Sequence, residues 1–118
     1  MKHIFISGPY RAPTIRGIQE NIRRAEEWEL KFILAGWAVI CPHKNTALFD
    51  GLAPDETWLK MDLELLSRCD AIFAMPGWKN SEGAKAEVKE ARRLGLEVIY
   101  WDGVKHIPLG SPPRAERI

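Results

Sequence analysis

Four short apolar runs punctuate the chain, each closed by residues that break a strand. His3-Ile4-Phe5-Ile6-Ser7 stops at Gly8-Pro9, and Trp37-Ala38-Val39-Ile40-Cys41 stops at Pro42. Ala71-Ile72-Phe73-Ala74-Met75 stops at Pro76-Gly77, and Leu96-Glu97-Val98-Ile99-Tyr100-Trp101 stops at Asp102-Gly103. Apolar residues follow one another almost without alternation, the pattern of parallel strands covered on both faces. A short fifth strand is expected near His106-Ile107.

Between these runs the apolar period changes from continuous to helical. Ile18, Ile22, Ala25, Phe32 and Ala35 mark one face of a first helix, and Gly36 stands where a C-terminal cap glycine belongs. A second helix is expected from Asp55 or Glu56 to about Cys69, turning Trp58, Met61, Leu65 and Leu66 inward. A third runs from Glu82 to Leu94 with Ala84, Val88, Ala91 and Leu94 inward and Gly95 as its stop. The order β-α-β-α-β-α-β, with right-handed crossovers, predicts a three-layer α/β/α sandwich. Its doubly wound parallel sheet, flavodoxin-like or Rossmann-like, has four or five strands in the order 2-1-3-4. Residues 1–108 would form this domain and 109–118 a tail, loosened by Ser111-Pro112-Pro113-Arg114.

In such a sheet ligands bind beyond the C-terminal strand ends, at the point where the strand order reverses. That brings Ser7-Gly8-Pro9-Tyr10-Arg11 and the segment from Gly77 to Gly83 to one crevice. Asn80-Ser81-Glu82-Gly83-Ala84-Lys85-Ala86-Glu87 opens the third helix there, with free amides that suit a phosphate or hydroxyl group. Glu87 lies in the first two turns, where the helix dipole favours a negative charge, and is expected to be ionised near neutral pH. An ionised carboxylate beside such a cradle suits a nucleophile attacking a sugar carbon. It equally suits a solvated glutamate paired with Lys85 or Arg92.

Asp62 falls within the apolar stripe of the second helix, and a carboxylate facing inward needs a partner or a task. It would contact a bound base, protonate a leaving nitrogen, or anchor a loop backbone. Tyr10 and Arg11 follow the first strand at the ligand end, placed to stack on a base and meet an anion, or to form a surface turn. Asp70 opens the third strand at the opposite end and reads as a cap. His43, Lys44 and Asn45 border the crevice or another subunit, while Trp78 and Trp101 suit stacking or packing. Cys41-Pro42-His43 lacks a second pair at zinc-ligand spacing, so no metal site is expected.

Composition narrows the partners. In 118 residues, 17 lysines and arginines nearly balance 16 aspartates and glutamates, giving a net charge of +1. A protein that binds a nucleic-acid polymer by phosphate neutralisation is therefore not expected; a small ligand is. No apolar run approaches the length of a membrane span, no cleavable leader opens the chain, and Cys41 and Cys69 sit in apolar stretches, all pointing to the cytoplasm.

With these residues placed, the chain resembles the nucleoside 2-deoxyribosyltransferase superfamily, including its 2'-deoxynucleoside 5'-phosphate N-hydrolases. Ile4-Phe5-Ile6-Ser7-Gly8-Pro9-Tyr10 looks like that family's first strand and substrate loop. Asp62-Leu63-Glu64-Leu65-Leu66-Ser67-Arg68-Cys69-Asp70 looks like its aspartate-bearing helix, and Ser81-x-Gly83-x-x-x-Glu87 matches its cradle and nucleophile spacing. Cys41-Pro42-His43-Lys44-Asn45-Thr46-Ala47 looks more like a small bacterial and phage branch.

The resemblance implies a cofactor-free N-glycosidase or deoxyribosyltransferase acting on a nucleoside or nucleotide. Glu87 would attack C1', Asp62 would contact the base or assist its protonation, and Ser81, Gly83 and nearby amides would hold the sugar's 5' end. Ser7, Gly8, Tyr10 and Arg11 would line the substrate site, in a homo-oligomer of at least two copies. Two positions depart from the family pattern: Lys89 replaces a glycine two residues past the nucleophile, and Glu82 puts a negative charge in the cradle, favouring a sugar hydroxyl over a phosphate. A nucleotide-binding or nucleotide-sensing domain, and a subunit serving assembly through its tryptophans, are the alternatives.

Overall fold

The computed structural model describes residues 1–101 and the pair 115–116. β1 (His3–Ser7), β2 (Ala38–Ile40), β3 (Ala71–Ala74) and β4 (Glu97–Tyr100) form a parallel sheet in the order β2-β1-β3-β4, as the alternation of elements predicts. β5 (Ala115–Glu116) adds an antiparallel edge to β4, within the stretch read from sequence as a tail. The fifth strand expected at His106-Ile107 lies outside the described residues.

Three crossovers cover the sheet. α1 (Ile15–Leu34) connects β1 to β2, α2 (Pro42–Asn45) and α3 (Asp55–Leu66) lie between β2 and β3, and α4 (Glu82–Arg93) leads into β4. Thr14 caps α1 by accepting from the Gly17 amide. At the other end Gly36 takes φ 94, and the Trp37 amide returns to the Phe32 carbonyl at 3.0 Å, the closing bond of a left-handed cap. None of the described helices is long and apolar enough to cross a membrane.

The alternation of side chains along β1 decides what each face meets. Ile4 and Ile6 enter a core with Ala25, Phe32, Phe73 and Ile99 on the α1 side. Phe5 points the other way, into Leu66, Ile72, Val88, Ala91 and Val98 beneath α3 and α4. Ser7 shares the parity of Phe5, and so the last side chain of β1 is delivered to α4.

Two expected core residues lie outside. Met61 is 38% and Leu94 37% exposed. Met61 stands three positions from Trp58, at the edge of the inward stripe, and borders an open groove between α3 and α4. Leu94 is the C-cap of α4, where the chain turns away.

Candidate active site

β1 ends beside the N-terminal half of α4, and the two elements exchange one short polar contact. Ser7, fully buried, donates from Oγ to Oε1 of Glu87 at 2.7 Å. Glu87 is itself only 8% exposed. Its expected ionisation is therefore overturned: burial raises its pKa to about 8, against the lowering effect of the Ser7 hydroxyl and with a further rise from the charge of Asp62. The helix dipole does not outweigh the loss of water.

Asp62 on α3 completes a pair of acidic groups. Burial raises its pKa to about 6, and Oδ1 has no hydrogen-bond partner among the described residues. One turn earlier on the same face, Nε1 of Trp58 is also buried without a partner there. A donor and an acceptor left unmatched among the described residues are groups for which a ligand can compensate.

The loop after β1 is held from behind. A carbonyl can only accept, so His43, 5% exposed, donates from Nε2 to the Pro9 carbonyl at 3.0 Å. Burial lowers its pKa, which keeps the ring neutral and leaves Nδ1 unprotonated, without a partner among the described residues. Asn21 of α1 donates to the carbonyls of Tyr10 and Arg11 at 3.0 and 3.3 Å. Gly8 has no room for a side chain, since a Cβ there would stand 2.7 Å from Cβ of Met75.

The phenol of Tyr10 is also engaged. It donates to Oδ1 of Asp50 at 2.7 Å and accepts from the Leu48 amide at 2.8 Å, tying residues 48–50 to the loop. Arg11 pairs with Asp55 at 2.5 Å on the surface. Asp70, at the far end of β3, accepts from the His3 amide, the capping role read from its position.

At the helix start Ser81 is the N-cap of α4, its Oγ accepting from the Ala84 amide at 3.2 Å. A Cβ at Gly83 would meet nothing within 4 Å, so that residue leaves the helix start open. The Glu82 side chain is 91% exposed and pairs with Lys85 at 2.8 Å. Among the described residues no three His, Cys, Asp or Glu side chains converge as metal ligands.

Asn21 and the indole of Trp58 are polar groups of the site that the apolar pattern alone does not mark. The signal for Asn21 was present, as a polar residue inside the stripe of Ile18, Ile22 and Ala25.

Residues 2–100 match the model of a domain of unknown function, DUF4406. The chain belongs to this family. Curated proteins offer the DUF4406 chain no match in sequence. Its fold is shared with a 2-deoxyribosyltransferase of Bacillus psychrosaccharolyticus, at 19% identity and TM-score 0.60 over 90% of this chain and 76% of that one. A CMP N-glycosidase of Clostridium botulinum matches at 24% identity and TM-score 0.58, over 85% and 71%. A 2-deoxyribosyltransferase of Leishmania mexicana matches at 19% identity and TM-score 0.57, over 86% and 64%. At these identities the likeness is one of fold.

Proposed function

We propose that this domain cleaves or transfers the N-glycosidic bond of a nucleoside or nucleotide through a covalent glycosyl-glutamate. The observation that carries the reading is the meeting of Glu87, held by Ser7, with the charge of Asp62, whose Oδ1 has no partner among the described residues, at the ligand end of the sheet. The names of the structural neighbours, two deoxyribosyltransferases and an N-glycosidase, support it.

An oxygen of ionised Glu87 forms a bond to C1' as the C1'–N bond breaks. The electron pair passes to the base nitrogen, which takes a proton from the Asp62 carboxyl. Asp62, now ionised, removes a proton from water or from an acceptor base. That nucleophile attacks C1' and releases the Glu87 carboxylate. The open start of α4, with Ser81 and Gly83, would receive the sugar's 5' end, and Gly8, Tyr10 and Arg11 would border the base.

Between about pH 6 and about 8 the two carboxyls hold one proton, and in the empty site Glu87 keeps it. The reaction requires that proton on Asp62, so a minority arrangement reacts. The same protonated Glu87 would serve as a hydrogen-bond donor in a non-catalytic nucleotide-binding or nucleotide-sensing domain, the second reading.

One experiment separates the two. The protein is incubated with deoxynucleosides, ribonucleosides and their 5'-monophosphates, with and without an acceptor base, and free or exchanged base is measured. Base release that is lost in Glu87→Gln with binding retained supports the nucleophile; tight binding with no release from any substrate selects the second reading. The catalytic unit is residues 1–108, in at least a dimer. Exposed Leu30, Ile33 and Leu34 on α1 support self-association, which sedimentation measures.

A further inference from the structure

Ser7 occupies a position at which the strand has no structural need of a hydroxyl. It follows Ile4, Phe5 and Ile6 and pairs in register with Ala74 of β3, where every side chain is apolar. It is fully buried, so its Oγ is closed to solvent, and among the described residues it is the sole hydrogen-bond partner of the Glu87 carboxyl. The backbone beneath it is fixed: its carbonyl accepts from the Met75 amide at 2.8 Å, and Gly8 presses on Met75 immediately after.

Resting on the glycosyl-transfer reading, we propose that Ser7 is the positioning residue of the nucleophile: its hydroxyl holds Oε1 and leaves Oε2 as the oxygen that attacks C1'. The separation of 2.7 Å is that of a well-formed hydroxyl–oxygen hydrogen bond, and it strengthens when the carboxyl ionises. Such a bond fixes the carboxyl rotamer from a strand rather than from a mobile loop, which is how a reacting group is kept aligned.

The other groups packed around Glu87 do not share the task. Asp62 on α3 repels its negative charge. β3 presents only apolar side chains, and the Tyr100 hydroxyl of β4 accepts from Arg92 and makes no bond to Glu87. On α4 itself Lys85 is drawn to Glu82. Ser7 is thus the group on hand to favour the ionised form that reacts.

Two measurements test this. In ligand-free protein carrying carboxyl-labelled glutamate, the Glu87 resonance is titrated in wild type, Ser7→Ala and Ser7→Thr, with thermal melts confirming that each variant folds. The Glu87 titration is expected to move up by about one pH unit in Ser7→Ala and to stay near the wild-type position in Ser7→Thr. In base-release assays Ser7→Ala is expected to lose kcat by about 10- to 100-fold with KM within about twofold, and Ser7→Thr to recover most of it.

An unmoved Glu87 titration, or a rise in KM with kcat unchanged, overturns the proposal; the latter would make Ser7 a substrate contact. A shifted titration in a protein that releases no base supports the Ser7 contact and overturns the reaction instead.

Discussion

Replacing Glu87 by glutamine should stabilise the domain increasingly as pH rises. The carboxyl titrates from its ordinary 4.5 up to about 8 in the folded protein, chiefly because burial disfavours the charged form. Below 4.5 both folded and unfolded chains carry the proton and Glu87 contributes its full stability. Between 4.5 and about 8 the unfolded chain releases the proton while the folded one keeps it, so stability falls by about 1.4 kcal/mol per pH unit. From pH 5 to 8 the loss approaches about 4 kcal/mol, a large share of the roughly 5–15 kcal/mol that holds a domain of this size together. Glutamine has no proton to lose and still accepts from the Ser7 hydroxyl. Urea unfolding of wild type and Glu87→Gln at pH 5, 6.5 and 8 isolates the effect, since the other titrating groups are common to both. A stability difference that stays constant across that range would refute the buried, proton-holding carboxyl.

The activity of the pair should follow a bell, with limbs near pH 6 and pH 8 in kcat/KM, reporting the single proton shared by Asp62 and Glu87. Asp62→Asn should remove one limb and most of the base release. Gly8→Ala forces a Cβ to within 2.7 Å of Met75 Cβ, and its melting should show a loss of about 1–3 kcal/mol as β1 and β3 separate at their ends. Tyr10→Phe deletes the bonds to Asp50 and to the Leu48 amide, so hydrogen exchange at Leu48 should quicken about fivefold, the worth of about 1 kcal/mol.

The strands were readable because each is a short apolar run ended by proline or glycine, and that punctuation survives folding unchanged. Parity then determined more than periodicity did. The helical spacing that marked Trp58 and Leu66 also captured Met61, because a stripe drawn from sequence has no information about where the neighbouring helix stops covering it. Glu87 illustrates the same limit in its chemistry. Its place in the first turns of α4 implied a stabilised charge; its actual surroundings, the end of β1 and the inward face of α3, come from segments 80 and 25 positions away in the chain. Burial by remote segments is the quantity a local pattern lacks. The sequence places His43 only on the border of the crevice, since its bond to Pro9 depends on α2, a turn too short to leave a period.

The face-alternation of β1 carries a consequence for folding fidelity. Were β1 to slide by one residue against β3, Ile6 would come to lie under Glu87, and Ser7 would turn into the aromatic core of Phe32 and Phe73. Both misplacements are costly, one stranding a carboxyl against a hydrocarbon and the other a hydroxyl among rings. An all-aliphatic strand would have no such mark to distinguish the correct alignment from its neighbours. The polar pair at the end of β1 therefore discriminates against misaligned sheets, a form of error-checking independent of any substrate.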